Sequence, residues 1–169
     1  MLSAKLNAAL NTQMNKEFFA AYSYLSVAAY FEDEEFGGFA NFFRIQAQEE
    51  IQHAIKIFDY IHQAGGQCVL ASVAAPKKDF MTPLAAFEYS LDSETQLAGE
   101  IDNLLSTSIT ERHAPTQVFL QWFITEQVEE EALFTRSIKR LKRVGSDANG
   151  LLMMDKEFGE RTLDSGSEK

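Results

Sequence analysis

The sequence predicts an all-α fold: a four-helix bundle with a long crossover between its second and third helices and a short fifth helix at the C-terminus. Three observations predict it. Apolar residues recur at alternating spacings of three and four along four long stretches, the period of a helix that buries one face. The breaks inside the first and second pair of stretches are short and the break between the pairs is long, so the partners within each pair run antiparallel. Each stretch also carries a carboxylate inside its apolar row, near the middle of the helix.

Ser3 supplies a cap for the first helix, whose inward row is Leu6, Leu10, Gln13, Glu17, Ala20, Tyr24, Val27 and Phe31, followed by the acidic run Glu32 to Glu35 and a stop at Gly37-Gly38. That acidic run reads as a solvated helix end. The second helix spans about Gly38 to Ala64 and presents Phe39, Phe43, Gln46, Glu50, His53, Ile57 and Ile61. From Gly65 to Thr82 helical periodicity is lost. Extended at about 3.3 Å per residue, such a segment covers about 55 Å, enough to travel the length of a long helix at 1.5 Å rise. Thr82-Pro83 then gives a cap and a first-turn proline for the third helix, with the row Leu84, Phe87, Leu91, Glu94, Ala98, Ile101, Leu105 and Ser108. Pro115 opens the fourth, with Phe119, Phe123, Gln127, Glu130, Phe134, Ile138 and Leu141 inward, and Gly145 closes it. Leu151 to Phe158 forms a short fifth helix, too apolar to stand free in water. One domain therefore spans residues 1–158, and the polar residues 159–169 form a flexible tail.

With 25 acidic and 15 basic residues the chain carries a formal charge of -10, which argues against a nucleic-acid surface and favours cations as partners. The lone cysteine, Cys68, excludes an internal disulfide and any Cys-x-x-Cys metal site. Neither an export signal nor a membrane-spanning run is present, so the expected location is cytoplasmic.

Glu17, Glu50, Glu94 and the Gln127–Glu130 turn all lie near mid-helix, and a midpoint keeps its level whichever way a helix points. Packing four such helices side by side gathers Glu17, Glu50, His53, Glu94 and Glu130 in one core layer. Carboxylates crowded away from water are tolerable only with multivalent cations among them. Oxygen donors with one imidazole suit iron or manganese better than structural zinc, and four carboxylates exceed the needs of one ion. A second acidic group, Glu49, Glu126 and Glu129, lies beside the first. The spacing of Glu126, Glu129 and Glu130 sets like charges one turn apart, at a cost of about 0.2–0.5 kcal/mol per pair that nearby cations would remove; a solvated acidic face is the plainer alternative for Glu126 and Glu129. Tyr24 faces the same layer, as a hydrogen-bond donor to a carboxylate and, in the sharper reading that can hold alongside it, as a redox-active phenol. Trp122 reads as packing, His62 and His113 as solvated or capping groups, and Cys68 shows no activating neighbour in the sequence.

Glu17, Tyr24, Gln48-Glu49-Glu50-x-x-His53, Glu94 and Thr125-Glu126-Gln127-x-Glu129-Glu130, in this order and spacing, resemble the bacterial non-haem ferritins over residues 1 to about 158. The resemblance implies a ferroxidase centre in which Glu17, Glu50 and His53 hold one iron and Glu50, Glu94 and Glu130 the other, with Gln127 and Tyr24 in supporting hydrogen bonds. It implies a third iron site at Glu49, Glu126, Glu129 and Glu130. The activity would be oxidation of Fe(II) by dioxygen or hydrogen peroxide, with ferric mineral stored inside a homo-oligomeric shell of twenty-four subunits. Haem is not expected, because Gln52 stands where the haem-ligating methionine of bacterioferritins falls and Gln127-x-x-Glu130 replaces their second Glu-x-x-His. The competing readings are another di-iron oxidase or peroxidase on the same bundle, and a non-catalytic acidic bundle.

Overall fold

The computed structural model describes residues 1–163, and within them every regular element is a helix. α1 (Ala4–Asp33) and α2 (Gly37–Gln63) form one antiparallel pair, α3 (Pro83–Thr110) and α4 (Ala114–Val144) the other, and α5 (Ala148–Phe158) packs on α2 and α4. Contacts between the pairs show the same sense. Tyr24 meets Glu94 while Phe31 meets Phe87, so α1 and α3 are antiparallel. Phe42 meets Phe134 while Tyr60 meets Thr116, so α2 and α4 are too.

The helix ends follow local chemistry. Ser3 and Thr82 accept from Leu6 N and Ala85 N at 3.1 Å each, and Pro83 and Pro115 occupy first-turn positions. His113 caps α4, with Nδ1 accepting from Thr116 N. Gly145 ends α4 at φ 59°, the left-handed conformation that glycine adopts without strain. One boundary differs from the expectation. Gly37-Gly38 do not stop α1, which ends at Asp33 in a turn through Glu35; they open α2. The reason is α5: a Cβ on Gly38 would lie 1.6 Å from the Asp155 carbonyl oxygen, and Asp155 Oδ1 accepts from Phe39 N at 2.8 Å, capping a helix whose own N-cap, Phe36, has no acceptor.

The inward rows of α1 and α2 are buried as expected. In α3 the buried row is Phe87, Ser90, Glu94, Leu97, Ile101, Leu104 and Ser108, so Leu84, Leu91, Ala98 and Leu105 lie on its flank, and in α4 Phe119 is only half-buried. The crossover runs extended along α1, held by a ladder the apolar pattern does not reveal. Asn7, Asn11 and Asn15 bind the main chain of Gln67, Val69 and Ala71 through hydrogen bonds of 2.6–3.2 Å. Four helical residues advance about 6 Å and two extended residues about 6.6 Å, so each asparagine meets every second residue of the strand-like segment.

Two apolar clusters fill the bundle. One is rich in phenylalanine, around Phe31, Phe39, Phe43, Phe87 and Phe134; the other is largely aliphatic, around Leu6, Leu10, Ile57, Ile61 and Ile101. The polar layer lies between them. Among the described residues no helix is long and apolar enough to cross a membrane.

Candidate metal centre

Glu17, Glu50 and Glu94 are at most 1 % exposed, and His53, Gln127 and Glu130 are also buried. The convergence expected from mid-helix positions is therefore present. Each helix contributes at least one of these groups because its row continues apolar above and below, leaving the side chain no route to water.

Glu17, Glu50 and His53 each offer a donor atom within 4.8 Å of the others, and among the described residues they are the one such trio. Glu17 Oε1 accepts from Gln13 Nε2 at 2.7 Å, while His53 Nδ1 stands 3.3 Å from Glu50 Oε2. Neither carboxylate oxygen of Glu50 has a hydrogen-bond partner, although both are out of reach of solvent. A buried polar atom left in this way costs about 1–3 kcal/mol, more when charged. Glu50 is thus the least satisfied buried carboxylate among the described residues.

Glu94 and Glu130 lie in the same layer but are engaged elsewhere. The Tyr24 hydroxyl donates to Glu94 Oε1, and Gln127 Nε2 donates to Glu94 Oε2 at 2.5 Å and to the Glu94 carbonyl at 3.0 Å. Gln46 Nε2 donates to Glu130 Oε2 at 2.8 Å. The Tyr24 ring is wedged between Phe43 and Phe134, with centroids 5.8 and 5.9 Å away, which aims its hydroxyl at the acids.

Burial dominates the electrostatics. It pushes Glu17 and Glu50 well above the usual carboxylate range, reinforced for Glu17 by the charge of Glu50 and for Glu50 by that of Glu94. It raises Glu94 and Glu130 to about 7, against the hydrogen bonds from Tyr24, Gln127 and Gln46 that favour their ionised forms. The Tyr24 phenol is also held well above its ordinary value, first by burial and then by Glu94. Without a metal, the layer keeps protons that a multivalent cation would displace.

The second acidic group is looser. Burial raises Glu49 above the usual carboxylate range against the opposing charge of Arg161, with a smaller push from half-buried Glu126, whereas Glu129 is exposed. Glu49 is half-buried and forms an ion pair with Arg161. Gln13, Gln46 and Arg161 escaped sequence reasoning as site residues. The two glutamines sat in the inward rows beside Glu17 and Glu50, which was a usable signal, whereas nothing local marked Arg161. Cys68 Sγ lies 3.3 Å from His62 Nδ1, a neighbour not visible in sequence, while burial and the charge of Asp59 push the thiol up. Trp122 packs its ring 5.3 Å from His53 and carries Lys56 Nζ 4.2 Å above its face.

Four long helices, a lengthwise crossover and a buried layer of carboxylates with one imidazole define the class of bundle proteins that build metal sites from facing helices. The ferritin-like domain family matches residues 7–144. The chain is 45% identical over 164 residues to a bacterial non-heme ferritin of Staphylococcus aureus, covering 97% of this chain and 99% of that one. It is 43% identical over 163 residues to the bacterial non-heme ferritin of Staphylococcus epidermidis, covering 96% and 98%. Its fold matches an open-pore ferritin from the hyperthermophilic archaeon Archaeoglobus fulgidus with a TM-score of 0.95 at 40% identity, covering 96% of this chain and 100% of that one. The chain belongs to the ferritin family.

Proposed function

We propose that this protein is an iron-storage ferroxidase. The observation that carries the reading is Glu50, whose buried carboxylate accepts no hydrogen bond and stands beside Glu17 and His53. Glu17, Glu50 and His53 would take the first ferrous ion, and Glu50, Glu94 and Glu130 the second, once Glu94 turns from Gln127 and Glu130 from Gln46. Two ferrous ions release two electrons together, which reduce dioxygen to hydrogen peroxide or hydrogen peroxide to two waters. Hard oxygen donors favour the ferric product. Tyr24 and Gln127 orient Glu94, and Glu49, Glu126, Glu129 and Glu130 receive a third iron on its way to a mineral. Storage needs an enclosed space that one chain cannot provide, so the working form is a cytoplasmic homo-oligomeric shell of twenty-four subunits, without haem.

Aerobic oxidation of Fe(II), followed by ferric absorbance, tests the reading. The parent should oxidise two ions per subunit in a fast phase, and Glu17→Ala should slow that phase at least about tenfold, as loss of a group that holds the metal does. Equal rates in the two proteins would overturn the assignment.

A further inference from the structure

Arg161 lies just beyond α5 and reaches back to the acids. Its guanidinium donates to Glu49 Oε2 at 2.7 Å and to Gln46 Oε1, and its Cζ lies over the Phe42 ring, 4.7 Å from the centroid. The main chain is tied as well: Asn41 Nδ2 donates to the carbonyls of Arg161 at 3.0 Å and Gly159 at 3.4 Å. The pair with Glu49 is partly withdrawn from water, its two side chains 24% and 19% exposed, so it is screened less than a surface pair. Gln46 is fully buried and bonds Arg161 through its oxygen and Glu130 through its nitrogen. Arg161, Gln46 and Glu130 therefore form one chain of hydrogen bonds from the C-terminal segment to the layer of acids. A cleft of about 260 Å³ lined by Phe42, Arg140, Glu157, Phe158 and Arg161 opens next to the guanidinium and gives it room to leave.

We propose that Arg161 is a tethered counter-ion that occupies the place of a metal at Glu49 and fixes Glu130 through Gln46, so that iron enters the third site only by displacing it. The proposal rests on the third-site reading above. An arginine and a metal cation cannot share Glu49 without mutual repulsion, so each lowers the occupancy of the other. Because Gln46 has one amide for two partners, release of Arg161 also frees it to turn, loosening Glu130. Arg161 acts as a positioning residue: it sets how readily iron passes from the paired centre to the third site, and it takes no part in oxidation.

Anaerobic titration of the assembled full-length protein with Fe(II), read by calorimetry, tests this. The parent should bind two ions per subunit tightly and a third weakly. Arg161→Gln should tighten the third by about tenfold, or about 1.4 kcal/mol, and leave unchanged the first ion, whose holders Glu17, Glu50 and His53 do not touch the Arg161–Gln46–Glu130 chain. Asn41→Ala, which frees the main-chain tether, should move the third in the same direction by less. Raising the salt concentration should tighten the third in the parent relative to Arg161→Gln, a response that mere loss of packing would not produce. Third-ion affinity equal in parent and Arg161→Gln, while Glu126→Gln with Glu129→Gln abolishes it, overturns the counter-ion role alone. A third ion absent from every variant, or indifferent to Glu126 and Glu129, overturns the third site and the counter-ion role together.

Discussion

At the scale of the residue, the unbonded carboxylate of Glu50 makes stability and metal binding oppose each other. Replacing it by Gln removes the cost of ionising a buried carboxylate and should raise the stability of the metal-free protein by about 1–3 kcal/mol at alkaline pH, where Glu50 would lose its proton, while tight binding of Fe(II) to the paired centre is lost. Thermal melts read against an anaerobic titration would show both. The pH dependence follows from the same acids. An ordinary glutamate loses its proton near 4.5, but in the metal-free fold Glu94 and Glu130 keep theirs to about 7 and Glu17 and Glu50 are raised well above the ordinary value. Folded-state values above the unfolded ones mean that the folded chain binds more protons, so stability is greatest below pH 4.5 as far as these groups go and is lost as pH rises through 7. Melting temperature of the metal-free protein should fall across that window, flatten in Glu94→Gln, which removes one of the two acids that titrate there and the charge that, after burial, raises the other, and be restored near pH 7 by Fe(II) under nitrogen. These acids were legible in the sequence because a carboxylate inside an apolar row has few explanations. The hydrogen bonds that turn Glu94 toward Tyr24 and Gln127, and Glu130 toward Gln46, were not, since rotamers depend on packing between helices distant in the chain.

At the scale of the element, the crossover and α5 owe their positions to polar groups rather than to apolar pattern. Asn11 makes two of the bonds that hold the crossover, to the Gln67 carbonyl and the Val69 amide, and is itself buried. Asn11→Ala should destabilise the protein by about 1–3 kcal/mol, because it leaves main-chain groups of Gln67 and Val69 without partners, and faster proteolysis between residues 65 and 75 would report the loosening. Gly38→Ala should expel α5, since its Cβ has no space beside the Asp155 carbonyl; increased hydrogen exchange over α5 would show it. The helix starts at Ser3, Thr82 and Pro115 could be read from capping chemistry alone. The role of Gly37-Gly38 could not, because a glycine pair marks a helix stop and a close approach equally well and only α5, more than a hundred residues later, decides between them. The shift of the α3 row from Leu91 to Ser90 and from Leu105 to Leu104 has a similar cause: with apolar side chains at Leu104 and Leu105 both, periodicity alone does not choose the face.

At the scale of the molecule, the polar layer sits between a phenylalanine-rich and a largely aliphatic cluster, each of which holds the four helices in register while the acids repel one another. The family of the chain was within reach of its motifs, and assembly entered only through that resemblance; the exposed apolar pairs Tyr22 and Leu25 on α1 and Ile51 and Ile55 on α2, three and four residues apart, say nothing by themselves of how many copies meet. Of the tail expected over 159–169, Arg161 is placed against α2, and residues 164–169 lie outside the described residues. Sedimentation of the purified protein should give a particle of several hundred kilodaltons, as a shell of about twenty-four chains requires; a stable monomer would remove storage while leaving the metal centre intact. The central claim is narrower: the acids brought together at mid-bundle are there to hold iron. Crystals soaked briefly in ferrous salt and measured at the iron absorption edge test it most directly. Anomalous peaks bonded to Glu17, Glu50 and His53, with a second ion reached by Glu94 and Glu130, are the predicted result, and an iron-free layer in crystals that carry iron elsewhere would contradict it.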